Sequence, residues 1–165
     1  MRNKTSQQII AELDGLYARG WRNDVFFVDD NFIGNKPFLK NELLPALIEW
    51  RKGKTGLVFF TEASINLADD RRLMELMVEA GFSRVFIGIE TPDEDCLAEC
   101  GKVQNKNRDL VEDVKRIQRA GLQVLGGFTT GSSWSGPNSD ARGSSPRPSS
   151  WPSMATIFGR SANGT

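Results

Sequence analysis

The chain has 165 residues, 21 Lys plus Arg against 21 Asp plus Glu, no His, and 39% hydrophobic residues. Zero net charge argues against a general nucleic-acid binder, and the lack of His excludes serine–histidine triads, imidazole proton shuttles and imidazole metal ligands within this chain. Cys96 and Cys100 are too few for a disulfide framework or a one-copy four-cysteine site, and neither a membrane-length apolar stretch nor a signal-peptide core appears, which predicts a cytoplasmic protein.

Thr5 with Gln8 forms a capping-box pattern, and Ile9, Leu13, Leu16 and Tyr17 recur at helical spacing before Gly20. Val25 to Val28 is a short, wholly apolar run of the buried-strand kind. A helix is expected over 38–51, with Leu43, Leu44, Leu47 and Ile48 inward and Pro45 kinking or interrupting it. Leu57 to Phe60 predicts the second strand. A helix over 69–80, begun by Asp69 or Asp70, ends at Gly81. Val85 to Ile89 predicts the third strand, and Thr91-Pro92 has the form of an N-cap with a proline at the first helical position. A helix over 107–120 carries Leu110, Val114 and Ile117 inward, and the last strand runs from Val124 to about Phe128.

Beyond residue 128 the composition changes. Residues 1–128 hold three serines, whereas 129–165 hold ten, and 19 of those 37 positions are Ser, Gly or Pro. Such a segment cannot bury enough apolar surface to offset its ordering entropy, so 129–165 is expected to be a disordered tail. Trp134 and Trp151 are unusual for a linker. The domain reading is a core over 1–128 followed by that tail.

The order α-β-α-β-α-β-α-α-β, with every strand apolar throughout, means parallel strands joined by helical crossovers. Periodicity alone leaves an open doubly wound sheet and a (β/α) barrel equally available. In both, ligands bind at the C-terminal ends of the strands. There the sequence turns polar: Asp29, Asp30 and Asn31 after the first strand, Glu62, Ser64 and Asn66 after the second, Glu90 and Thr91 after the third. Asp, Asn, Ser and Thr begin loops and cap helices anyway. Glu62 and Glu90 are not favoured turn residues, and each follows a buried apolar run. Their repetition points to a shared pocket for amines or hydroxyls. Cys96 and Cys100 have the C-x3-C spacing that opens an iron–sulfur triplet, but position 103 is Val and both fall in an expected helix, Asp93 to Gly101. Ordinary thiols in a reducing compartment explain them better. Gly126-Gly127 follows a strand without completing a phosphate-loop pattern.

The segments FFVDDNFIGNK (26–36), FTEASINLADD (60–70), LMVEAGFSRVFIGIETP (76–92) and KVQN (102–105) resemble the core of the radical S-adenosylmethionine superfamily. The branch they resemble most has a cobalamin-binding domain and includes the hopanoid C-2 methylase. The resemblance covers about 1–128 and implies a partial (β/α)6 TIM-like barrel, of which this chain would hold the second to fifth strands. It implies S-adenosylmethionine as cofactor, its methionyl amino group held near Asp29, Asp30 and Asn31. Glu90 and Thr91 would contact ribose hydroxyls, with Glu62 and Ser64 facing the same pocket. In intact relatives it also implies a [4Fe–4S] cluster that cleaves S-adenosylmethionine to a 5′-deoxyadenosyl radical, and in this branch cobalamin-dependent methyl transfer to a substrate that could be lipid-like. Two departures stand out. The family's C-x3-C-x2-C loop lies upstream of residues like Arg2–Ser6, and the fifth-strand continuation is replaced after Phe128 by TTGSSWSGPNSD. The expectation is therefore a core fragment without cluster ligands, inactive alone, its tail the product of a shifted reading frame. A catalytically dead binding module and a gene remnant are the alternatives.

Overall fold

The computed structural model describes residues 4–29, 31–90, 108–128 and 155–158. Thr5 starts helix α1 (Ser6–Ala18): its side chain accepts from Gln8 N–H while the Gln8 side chain accepts from Thr5 N–H, the reciprocal box expected from the sequence. Ile9 and Leu13 are its buried face. Strand β1 (Asp24–Val28) follows, then a 3-10 turn (Phe32–Asn35), helix α2 (Lys36–Phe38), a π-helical turn (Leu39–Leu43) and helix α3 (Leu44–Arg51). Pro45 therefore does not interrupt the helical run. A widened turn with Leu44 N–H bonded to Leu39 C=O precedes it, which makes room for a ring that cannot donate and would crowd a regular preceding turn.

Strand β2 (Val58–Ala63), a 3-10 turn (Ile65–Asp69), helix α4 (Arg71–Ala80) and strand β3 (Phe82–Glu90) come next. Asp70 caps α4 by accepting from Leu73 N–H at 3.1 Å, and Gly81 ends it with φ of 97°. Helix α5 (Leu110–Arg119), capped by Asp109, leads into strand β4 (Gln123–Phe128). The expected helix Asp93 to Gly101, with Cys96 and Cys100, and the Thr91-Pro92 cap lie outside the described residues.

The strands form one parallel sheet in the order β4-β3-β2-β1-β5. From β1 to β4 each strand lies beside its predecessor. Right-handed crossovers taken always in one direction place their helices on one face, as in a barrel wall rather than a doubly wound sheet. Burial agrees. Val25, Phe27, Phe59, Thr61, Val85 and Ile87 point to the helical face and are buried. Phe26, Phe60, Phe86 and Leu125 alternate with them onto the other face, where Phe86 and Leu125 remain exposed at 40% and 39%. The core is an aromatic cluster between sheet and helices. Phe27 packs on Phe59 at 5.2 Å and on Phe82 at 5.1 Å, with Phe32 5.2 Å from Phe82.

The sheet carries one strand more than the four expected. Strand β5 (Ala155–Phe158) pairs with β1 from Val25↔Ala155 to Val28↔Phe158, within the segment read as a tail. Thr156, Ile157 and Phe158 are good strand formers, and pairing satisfies the outer backbone groups of β1. The run is too short to register as periodicity in a Ser/Gly/Pro-rich background. The rest of 129–165 lies outside the described residues. Among the described residues, no helix is long and apolar enough to cross a membrane.

Candidate functional site at the strand ends

The ends of β1 and β2 are brought level by their register, in which Asp24 to Phe27 pair with Val58 to Thr61. Thr61 is fully buried and its hydroxyl donates to the Phe27 carbonyl at 2.8 Å, fastening the two strands just below their last residues. Past that point both chains turn polar, and three of the expected residues meet. Asn31 N–H donates to Asp29 Oδ1 at 3.1 Å, a side-chain-closed turn at the end of β1. Across the gap, Asn31 Oδ1 accepts from Ser64 N–H at 3.2 Å, and Ser64 Oγ lies 3.2 Å from the same oxygen. Ser64 Oγ is also 2.6 Å from Asn66 Oδ1. A hydroxyl has one proton, so the two amide oxygens share it.

Lys36 completes the arrangement by donating from Nζ to the Asn66 carbonyl at 3.4 Å. The sequence reading did not include Lys36. It is 30 positions away and belongs to a helical run that reads as ordinary amphipathic surface, and only the packing of that run beside the second strand's loop brings it there. Glu62, half-buried, extends from β2 onto the face opposite Thr61, the open face that also carries Phe60. Glu90 ends β3 and pairs with Phe128 after a register shift beyond Gly88. Its side chain, Asp30 and Thr91 lie outside the described residues.

Ion pairs hold the loop that follows β2. Arg108 donates to Asp69 through Nη1 at 2.9 Å and Nη2 at 2.7 Å, and through Nε to buried Asp113 at 2.7 Å. The guanidinium holds the Asp69 carboxyl below its ordinary pKa, and its own pKa is raised by these two carboxylates. For Asp70, burial opposes ionisation, but bonds from Lys40 and from Leu73 N–H outweigh it and leave the pKa lowered. A cavity of about 520 Å³ between α4 and α5 is lined by Arg71, Glu75, Arg116 and Arg119. Each arginine there already faces a carboxylate.

The donors suit one part of the implied cofactor pair and not the other. Carboxylate, amide and hydroxyl groups at strand ends match the ammonium, carboxylate and hydroxyl groups of S-adenosylmethionine. A cluster bound through a C-x3-C-x2-C loop needs three thiolates, and the 165 residues contain two cysteines. Among the described residues, no group of three or more His, Cys, Asp or Glu could hold a metal ion.

Comparison with known proteins supplies the family. Residues 1–135 match the radical SAM superfamily. The chain is 50% identical over 131 residues to an uncharacterized methyltransferase of Synechocystis sp., covering 79% of this chain and 24% of that protein. It is 44% identical over 132 residues to the hopanoid C-2 methylase of Rhodopseudomonas palustris, covering 79% and 25%. The chain thus spans about a quarter of the length of these relatives. Among solved structures, methylornithine synthase superposes with a TM-score of 0.47 at 15% identity, over 77% of this chain and 41% of that one. With one family match running through β1 to β4, the chain belongs to the radical SAM superfamily.

Proposed function

We propose that this chain is the S-adenosylmethionine-binding section of a radical SAM methyltransferase. The observation that carries this is the convergence of Asp29, Asn31 and Ser64 across the ends of β1 and β2 in a chain of that superfamily. In this reading Asp29, Asp30 and Asn31 hold the methionyl end, Glu62 and Ser64 line the same pocket, and Glu90 and Thr91 hold the ribose hydroxyls. Methyl transfer, a cobalamin partner and a lipid-like substrate belong to the proposal for the intact enzyme. They draw on the names of two relatives that are more than three times as long.

A second reading is a binding module that takes S-adenosylmethionine without performing radical chemistry. The residues it calls on, Asp29, Asn31 and Ser64, all lie within this chain. Equilibrium dialysis with labelled S-adenosylmethionine tests what both readings share. Saturable binding of one molecule per chain is expected, weakened at least tenfold in Asp29→Ala and Glu62→Ala. No saturable binding would refute both. With two cysteines and no histidine, the chain should take up no [4Fe–4S] cluster on anaerobic reconstitution under either reading, and about four irons per chain would overturn that expectation.

A further inference from the structure

We propose that the cavity of about 520 Å³ between α4 and α5 is a binding site for a phosphate ester with a small apolar body. None of its lining residues belongs to the polar rim at the strand ends. Three guanidiniums line it, Arg71 from the start of α4 and Arg116 and Arg119 from the last turn of α5, against one carboxylate, Glu75. Helix polarity accounts for the two on α5, because cations are favoured beside a helix C-terminus. It does not account for Arg71, which opens α4 in a first turn that holds no acidic residue, where the helix dipole disfavours a cation. The Arg71 side chain is 89% exposed, so burial does not hold it there either.

The carboxylates that face these arginines leave them available to a ligand. Arg71 pairs with Glu75 at 2.9 Å and Arg119 with Glu112 at 2.7 Å, but both pairs stand largely in water, where an ion pair contributes little and yields to a stronger acceptor. Arg116 lies 3.6 Å from Asp113, whose other oxygen is already taken by Arg108 at 2.7 Å. A carboxylate has two oxygens and is filled by one guanidinium. A phosphate monoester carries nearly two negative charges and three terminal oxygens, so it can accept from guanidiniums on both helices at once. Three arginines against Glu75 leave two positive charges to meet it. The rest of the lining is apolar: Met74 and Ala68 are buried, and Ala68 before α4 and Ala120 after α5 are too small to fill the space between the helices. The volume falls in the range of small-molecule sites, which leaves room for a ring or short chain beyond the phosphate.

Titration calorimetry of the full chain with phenyl phosphate, inorganic phosphate and benzoate tests this. One phenyl phosphate per chain should bind, at least tenfold more tightly than inorganic phosphate, which lacks the apolar body, and than benzoate, which carries one charge. The double variant Arg71→Gln/Arg116→Gln should weaken phenyl phosphate at least tenfold. Arg72→Gln, next to Arg71 but outside the lining, should leave it within twofold. Should the double variant fail to fold, Arg116→Gln alone makes the same comparison. A lipid headgroup offers the same phosphate, so phosphatidylcholine vesicles with and without phosphatidic acid form a second arm. Vesicle capture that needs phosphatidic acid and is lost in the double variant would assign the site to a headgroup, and binding of phenyl phosphate without such capture would assign it to a soluble ester. Binding of neither, equal affinity for the three small anions, or equal loss in Arg72→Gln and the double variant would overturn the proposal.

Discussion

Single side chains do two kinds of work in this protein, and Thr61 and Asn31 show the difference. Thr61 is buried completely and gives its one proton to the Phe27 carbonyl, so the hydroxyl is satisfied inside the sheet. Replacing it with the isosteric valine removes that bond without opening a cavity. Thr61→Val should lower stability by about 1 kcal/mol, read as a shift in urea midpoint with the slope unchanged. A variant as stable as the wild type would show that the bond contributes nothing net. Asn31 instead ties the two strand ends together, its side-chain oxygen accepting from Ser64 N–H at 3.2 Å. The sequence placed both residues near strand ends, but it could not say that the Asn31 oxygen would face Ser64. That depends on a contact spanning 33 positions.

At the level of elements, alternation was legible and its consequences can be measured. Phe59 and Phe86 are aromatic residues on neighbouring strands that face opposite sides of the sheet. Phe59 is fully buried against Phe27, Phe82 and Trp50, whereas Phe86 is 40% exposed. Phe59→Ala should cost about 3–5 kcal/mol and Phe86→Ala less than about 1 kcal/mol. Comparable losses in thermal unfolding would mean that the open face is covered in solution. Gly81 sets a second limit, at the junction of α4 and β3. Its φ is 97°, and a Cβ there would lie 2.0 Å from Arg51 Nη1, the atom that donates to the Leu57 carbonyl. Gly81→Ala should destabilise by about 1–2 kcal/mol, whereas Gly53→Ala, also at positive φ but with nothing within 4 Å, should cost less. Equal costs would remove Arg51 from the explanation. The glycine was readable as a helix stop. The guanidinium above it was not, because Arg51 arrives from the preceding helix. Pro45 was readable as a disturbance, but only the widened turn before it shows how the helical run continues.

Across the whole molecule, the acidic network ties stability to pH. Asp69 and Asp70 have folded-state pKa values lowered below their ordinary ones. Each therefore contributes stability that is fully present above its unfolded pKa of about 4 and is lost as pH falls through the folded value. The urea midpoint should hold between pH 7 and pH 5 and fall between pH 4 and pH 3. Asp69 is half-exposed, so solvent screens its share. Arg108→Met should reduce stability at pH 7, since it strips the buried Asp113 of its shortest ion pair, and should flatten the fall below pH 4. A midpoint unchanged down to pH 3 would show that these pairs contribute nothing net.

What the sequence determined by itself was the strands β1 to β4, the helices between them that the structure describes, and the family. Apolar runs bounded by polar strand ends are local signals, and long matched blocks survive whatever surrounds them. It also marked Asp29, Asn31, Glu62 and Ser64 as one polar rim, because parallel strands deliver their C-terminal ends to one edge. The tertiary structure decided the rest. Helices on one face leave Phe26, Phe60, Phe86 and Leu125 on an open one. Strand β5 joins β1 from the far end of the chain, and the Asn31 amide takes its direction from a backbone N–H on the next strand. Each of these depends on groups distant in sequence meeting in space, and pairings of that kind leave no local pattern for a sequence to display.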